Sequence, residues 1–212
     1  MGRVRSGRSF HLRGGAFHHD RVDRLATAMT LEPSIAPGRG FLFVRHGEST
    51  DNARKIRSGG DVDPLLTPTG TRQAHEAARH LQNRLGHRSS GLKLIASPLR
   101  RTRETAWIIA VELGLDPEKT EFWEGFRERR LGEWNGLPAD DASQRLIRSG
   151  VTPPGGEAED IFRDRVMEAA RRAAGLAEAD RLPLVVSSRG VGRILGWSEM
   201  PNAGIFSWPP AF

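Results

Sequence analysis

The chain of 212 residues contains no cysteine. That excludes disulfides, thiolate catalysis and cysteine-ligated metal. It also lacks a long apolar run: a membrane-spanning helix needs about 20 consecutive apolar residues, whereas Phe41-Leu42-Phe43-Val44 and Leu184-Val185-Val186 have only the length of buried strands. The first residues hold no apolar segment of the kind a secretory signal requires. No internal repeat occurs, and no low-complexity tract lies beyond the leader. The length suits one domain with a sizeable core. A cytoplasmic protein with no membrane association is the expectation.

Charge is present, but unevenly. The formal net charge is +6. Residues 1–28 hold Arg3, Arg5, Arg8, Arg13, Arg21 and Arg24 against Asp20 and Asp23, whereas residues 29–212 carry 26 basic and 24 acidic side chains. The body is nearly balanced, so no nucleic-acid partner is expected. The leader is rich in Arg, Gly and His and lacks apolar periodicity. Residues 1–38 are therefore expected to be a disordered basic leader. Three readings of residues 1–28 stay open: an over-extended start ahead of Met29, an organelle transit segment, and a plain tail.

Further along, strands and helices alternate. Strands are expected at Phe41-Leu42-Phe43-Val44, at 92–96, at 121–123 and at 184–186. Thr67 and Pro68 open a helix whose inner face is Ala74, Ala77, Ala78, Leu81 and Leu85, ended by Gly86. Ser97-Pro98 reads as the cap of a helix carrying Ala106, Ile109, Ala110 and Leu113, closed by Gly114. A short helix is expected over about 140–148, then a turn at 153–157. A long helix follows from Glu159 to about Ala177, with Ile161, Phe162, Val166, Ala169, Ala170 and Ala173 facing inward. A last helix runs through Leu195. The alternation predicts an α/β protein with parallel strands. Ligands of such sheets sit beyond the carboxyl ends of the strands. Each expected strand ends in a cluster of Arg, His, Glu, Ser or Gly, so these clusters should converge on one rim.

Two of the clusters suggest anion chemistry. Arg45-His46-Gly47 offers a nucleophile, a cation, and a glycine that lets the backbone approach an anion; a histidine that merely caps a strand end is the plainer alternative. Arg100, Arg101 and Arg103 crowd a helix N-terminus, where the dipole disfavours cations. A bound anion would resolve that conflict.

Taken together, five ordered motifs resemble the histidine phosphatase (phosphoglycerate mutase-like) superfamily, in its compact phosphatase branch. They are Arg45-His46-Gly47-Glu48-Ser49 with Asn52, Leu66-Thr67-Pro68-Thr69-Gly70 with Gln73, residues 97–106, Arg127-Glu128 with Gly132, Trp134 and Gly136, and Gly155-Gly156-Glu157. The resemblance covers residues 41 to about 206. It implies a three-layer α/β/α fold with a mostly parallel sheet, a histidine phosphatase domain over 39–212, and no metal or other cofactor. It also implies roles. His46 would attack phosphorus and become phosphohistidine. Arg45 and Arg101 would hold the phosphoryl oxygens, with Asn52 as a lesser contact. Glu128 would protonate the leaving oxygen and later activate water, unless it is a surface partner of Arg127 or Arg129. A small phosphorylated substrate is the implied partner, with specificity set by loops at 53–66 and 137–153.

The pattern breaks at one place. The family carries a second histidine after its last parallel strand, and here no histidine follows His87. Counting from the strand places Ser188 there, as a substitute phosphate contact. Aligning on Gly190-Val191 places Arg189 there. His75 and His80 read as solvent-facing. The family usually continues with more strand beyond Pro201-Asn202, so a short sheet edge is expected. The expected function is a phosphomonoesterase with impaired turnover. The rivals are an inactive phosphate-binding protein and a phosphoglycerate mutase. Only 26 residues separate Glu128 from Gly155, a spacing that resembles the compact phosphatases more than the mutases.

Overall fold

The computed structural model describes Met1 and residues 40–209. The chain divides into a unit of Met1–Glu32 and one of Pro33–Phe212. Apart from Met1, the first unit lies outside the described residues, as does the expected disordered leader over 1–38.

Five strands form one sheet in the order β3-β2-β4-β1-β5. They are β1 (Phe41–Arg45), β2 (Leu92–Ala96), β3 (Glu121–Phe122), β4 (Leu182–Ser187) and β5 (Ile205–Trp208). The first four run parallel, and β5 is antiparallel to β1. The helices are α1 (Thr50–Ala53), α2 (Pro68–Leu85), α3 (Arg100–Glu112), α4 (Asp141–Arg148), α5 (Glu159–Ala174) and α6 (Arg189–Ile194).

Strand side chains alternate between faces, and the two faces build two cores. Phe41, Phe43, Ile95 and Val185 pack with Phe162, Val166 and Ala170 of α5. Leu42, Val44, Leu94 and Val186 pack on the other face with Ala78 and Leu81 of α2 and Ile109 of α3. The result is a three-layer α/β/α protein with a mostly parallel sheet. Among the described residues no helix is long and apolar enough to cross a membrane.

Helix α2 starts and stops where its end signals stand. Thr67 accepts the Gly70 N–H at 3.0 Å, Pro68 occupies the first turn, and Gly86 leaves with φ +55°. At α3 the capping expectation fails. Leu99, not Ser97, is the N-cap, and it makes no side-chain hydrogen bond. The Arg100 N–H instead donates to Asp63 Oδ1 at 2.6 Å. A loop carboxylate thus places negative charge at this basic helix start.

Three further expectations are corrected. Ile161 is 58% exposed. The buried stripe of α5 starts at Phe162 and recurs at Val166, Ala169, Ala170 and Ala173, and Ile161 stands about 100° away from Phe162 on the helix wheel. The helix also ends at Ala174 rather than near Ala177. At the other end of the sheet, the edge is not short: β5 pairs Trp208 with Phe41 and Ile205 with Val44. Trp208 stacks on Phe41 with ring centroids 5.1 Å apart. These residues carry no strict alternation in sequence, and it is the neighbouring strand that gives them their partner.

Candidate functional site

The site is assembled from the carboxyl ends of β1 and β4, the first turn of α3, and the loop after β3. His46 is the first residue beyond β1 and is buried. Its Nδ1 lies 2.7 Å from Gly47 O. A carbonyl only accepts, so Nδ1 carries the hydrogen and Nε2 keeps its lone pair. Burial pushes the imidazole pKa well below the ordinary 6.5, and the charges of Arg101 and Arg45 push it further; the contact with Gly47 O opposes them without prevailing. The ring is therefore a neutral base whose Nε2 has no hydrogen-bond partner among the described residues.

Arg45 donates from one terminal nitrogen to Met200 O at 2.5 Å. Its Nε is buried without a hydrogen-bond partner among the described residues. Burial and the nearby Arg189 charge lower its pKa to about 10; Glu128 raises it and Arg101 lowers it further. It stays cationic at neutral pH. Arg101 is only 2% exposed and donates to Val62 O at 3.1 Å and Gly59 O at 3.2 Å. Among the described residues neither arginine forms an ion pair with a carboxylate. Burial lowers the Arg101 pKa, and the charges of Glu128, Asp63 and Asp51 oppose it from beyond ion-pair distance, so an anion between the two arginines would add a direct partner that neither has.

Asn52 sits in α1, which is closed by a capping box with Ser49. Its Oδ1 accepts from Ser49 N at 3.3 Å and from Asn202 Nδ2 at 3.1 Å. Its Nδ2 is left without a hydrogen bond among the described residues. Glu128 accepts the Arg129 N–H on Oε1 and the Gly190 N–H on Oε2, both at 2.8 Å. Neither basic neighbour pairs with its carboxylate: Arg127 pairs with Glu124 and Arg129 with Glu159. Ser188 is the N-cap of α6 but makes no capping bond. It is 1% exposed, and its Oγ has no partner among the described residues.

The structure brings Arg45, His46, Asn52, Arg101, Glu128 and Ser188 onto the wall of one cavity of about 170 Å³. Arg189 lines it too. The loops at 53–66 and 137–153 contribute Arg57, Ser58, Gln144 and Arg148. His75 and His80 are elsewhere: His75 is half-exposed, with Nδ1 2.5 Å from Glu112 Oε1, and His80 is exposed. Among the described residues no group of three or more His, Asp or Glu side chains is arranged to hold a metal ion.

Gly47 also has a packing reason. Its N–H donates to Thr105 Oγ1 at 3.1 Å, and a Cβ there would run into Gly70 O. Gly70 in turn leaves no room for a Cβ beside Glu48 O. The two glycines let the loop after β1 cross the start of α2 in backbone contact.

Sequence reasoning missed two supporting residues. Asn202 donates to both His46 O, at 3.2 Å, and Asn52. Arg165 of α5 grips Glu157 through two bonds of 2.7 and 2.8 Å. It also donates to Arg127 O at 2.7 Å and Glu128 O at 3.2 Å, so it fixes the loop that carries Glu128. Arg165 reads in sequence as one more polar residue between apolar helix positions, and nothing in its spacing marks it.

The family model described as "Histidine phosphatase superfamily (branch 1)" matches residues 41–208. The chain is 34% identical over 176 residues to phosphoglycerate mutase-like protein 4 of Arabidopsis thaliana, covering 77% of this chain and 72% of that protein. It is 27% identical over 167 residues to a broad-specificity phosphatase of Saccharomyces cerevisiae, covering 76% and 71%. Of several mycobacterial relatives it spans only 41% of the length. Among solved structures, a mycobacterial glucosyl-3-phosphoglycerate phosphatase in complex with VO3 superposes with a TM-score of 0.61 at 26% identity, covering 80% of this chain and 90% of that one.

Proposed function

The chain belongs to the histidine phosphatase superfamily, and from that premise we propose that it hydrolyses small phosphate monoesters through a phosphohistidine at His46, with turnover held down by the lack of a second site histidine. The observation that carries this reading is the state of His46. Its ring is buried and neutral, its Nδ1–H is tied to Gly47 O, and its Nε2 is free beside two cations that have no carboxylate partner.

In the first step the Nε2 lone pair attacks phosphorus. The P–N bond forms as the ester P–O bond breaks, and the leaving oxygen takes a proton from the Glu128 carboxyl. In the second step Glu128 removes a proton from water, and the water oxygen displaces His46. Inorganic phosphate leaves, and both residues return to their starting states. A phosphate monoester carries about −1.5 to −2 charge. Arg45 and Arg101 offset it and stabilise the charge spread over the equatorial oxygens during transfer. Asn52 Nδ2 adds a neutral donor. The two backbone bonds to Glu128 orient its carboxylate while leaving lone pairs free for proton transfer.

Ser188 supplies at most one neutral donor where the resemblance implies a histidine. Losing one preorganised donor costs about 3–4 kcal/mol of transition-state stabilisation, a factor of roughly 10²–10³. The lack of any histidine after His87 also supports a second reading, a protein that binds phosphate without turning it over.

A screen of phosphate esters against the wild type and His46→Ala tests the proposal. Turnover that disappears in the variant, with an acid-labile phosphoenzyme trapped on His46, is the expected result. Turnover should survive a chelator; loss restored by Mg²⁺ or Zn²⁺ would overturn the mechanism. Equal activity in His46→Ala would do the same. Phosphate binding without turnover selects the second reading.

A further inference from the structure

Arg129 directly follows the proposed general acid, yet its side chain is only 2% exposed. Taking a guanidinium out of water is costly unless its donors are used. Here they converge on one stretch of chain. Nε donates to Glu157 O at 2.9 Å. One terminal nitrogen donates to Ile147 O at 3.3 Å and to Glu159 Oε2 at 3.4 Å, and the other donates to Val151 O at 3.1 Å. The backbone of the same residue belongs to the site. Its N–H donates to Glu128 Oε1 at 2.8 Å, and its carbonyl accepts from Gly60 N at 2.8 Å.

What Arg129 holds is a cavity wall with almost no core of its own. Helix α4 contributes Gln144, Ile147 and Arg148 to the lining, but Ser143 alone among its eight residues is buried. Apolar burial therefore cannot fix it, and a helix this short is not stable by itself. Polar anchors act at its two ends. At the start, Arg57 donates to Ser143 Oγ at 2.9 Å and to Asp140 O at 3.1 Å. At the far end, Ile147 O is a last-turn carbonyl without an intrahelical partner, at the negative end of the helix dipole, where a cation is favoured. Among the described residues, the two bonds from Arg129 are the hydrogen bonds that join residues 147–152 to the chain outside α4 and its own turn.

We propose that Arg129 is a positioning residue: it fixes the α4 wall beside Glu128 and so sets how tightly the cavity takes the alcohol part of an ester. The proposal rests on the reading of the cavity as a phosphate-ester site. In-line displacement puts the alcohol part on the far side of phosphorus from His46, so the phosphoryl group is left to Arg45 and Arg101. A wall that is already ordered adds no ordering cost when the ester arrives, whereas a loose wall subtracts that cost from the affinity. Arg129→Met keeps the length of the stem and removes the donors. Glu159 retains Arg193 at 3.0 Å and Arg163 at 3.9 Å, so the substitution orphans no carboxylate.

The test makes two measurements on the full chain, wild type and Arg129→Met. In hydrogen exchange read by mass spectrometry, amides of residues 144–152 should exchange about ten-fold faster or more in the variant, the loss expected for hydrogen bonds from a charged donor. Amides of β1 and α2 should keep their rates. In calorimetry, inorganic phosphate should weaken by less than about two-fold and phenyl phosphate by about ten-fold. Exchange that rises by one factor in α4, β1 and α2 alike would make Arg129 an ordinary core residue and overturn the proposal. Unmoved α4 rates, or equal weakening of the two ligands, would do the same. Arg129→Lys keeps the charge beside Glu159 but cannot span four acceptors. It should show the same pattern at smaller amplitude, and it decides the matter should Arg129→Met fail to fold. A wild type that binds neither ligand would sink the phosphate-ester reading, while the exchange rates still decide what Arg129 holds.

Discussion

His46 and Ser188 leave neighbouring parallel strands side by side, each one residue past the last paired positions, Arg45 and Ser187. The register thus places Ser188, rather than Arg189, beside the proposed nucleophile. Arg189 is one residue further on, opening α6 with an exposed side chain on the cavity wall. Ser188→His should raise kcat about ten-fold or more, a fraction of what one oxyanion donor contributes. Arg189→Ala separates the two alignments, since loss of the residual turnover there would make Arg189 the substitute donor. Steady-state kinetics on one ester decide it, and an unchanged kcat in Ser188→His would sink the claim of impairment.

The lowered His46 pKa has a consequence for stability. The unfolded ring takes a proton below 6.5, whereas the folded ring resists protonation until far lower pH. As pH falls below 6.5 the unfolded state therefore binds more protons, and stability declines until the folded pKa is reached. His46→Asn removes that linkage. Its urea midpoint should fall less steeply with decreasing pH than that of the wild type, and parallel curves would show that the ring titrates normally.

Gly190 is a second control point. Its N–H holds Glu128 Oε2, and a Cβ there would run into Glu128 Oε1. The obstacle is a side-chain tip, so Gly190→Ala should fold and displace the carboxylate. We expect kcat to fall by at least about ten-fold, within the range for a mispositioned general acid. Vanadate affinity should change little. Joint loss of vanadate binding would mean that the helix start itself had moved.

Arg165 and Glu157 form the firmest ion pair near the site, with Glu157 almost fully buried. Burial raises the Glu157 pKa, but the hydrogen bonds and charge of Arg165 outweigh it and hold the carboxyl below its ordinary value. Arg165→Met leaves a buried charge unpaired and should cost about 3–5 kcal/mol of stability. Because the folded pKa is lowered, the stability this pair contributes is present above the unfolded carboxyl pKa of 4.5 and lost as pH falls through the folded value. Thermal melts at pH 7 and pH 4 measure this: the gap between wild type and variant should narrow at the lower pH.

Much of this molecule is written in its local sequence. Strands β1, β2 and β4 are built on short apolar runs at Phe41, Leu92 and Leu184, and helix α2 lies between Thr67 and Gly86, both local end signals. Parallel strands force their carboxyl ends to one side, so the clusters after β1 and β4 had to share a rim with the start of α3. What the sequence left open depends on partners distant in the chain. Strand β5 exists because β1 offers an open edge. Asp63 caps α3 from another loop because Leu99 has no side-chain acceptor. Arg165 reaches Glu128 O across 37 positions, and Arg57 reaches Ser143 across 86. Residue type and spacing report hydrophobic period and chain direction. They do not report which buried cation ends beside which carbonyl, and that choice was made only when the two faces of the sheet were packed.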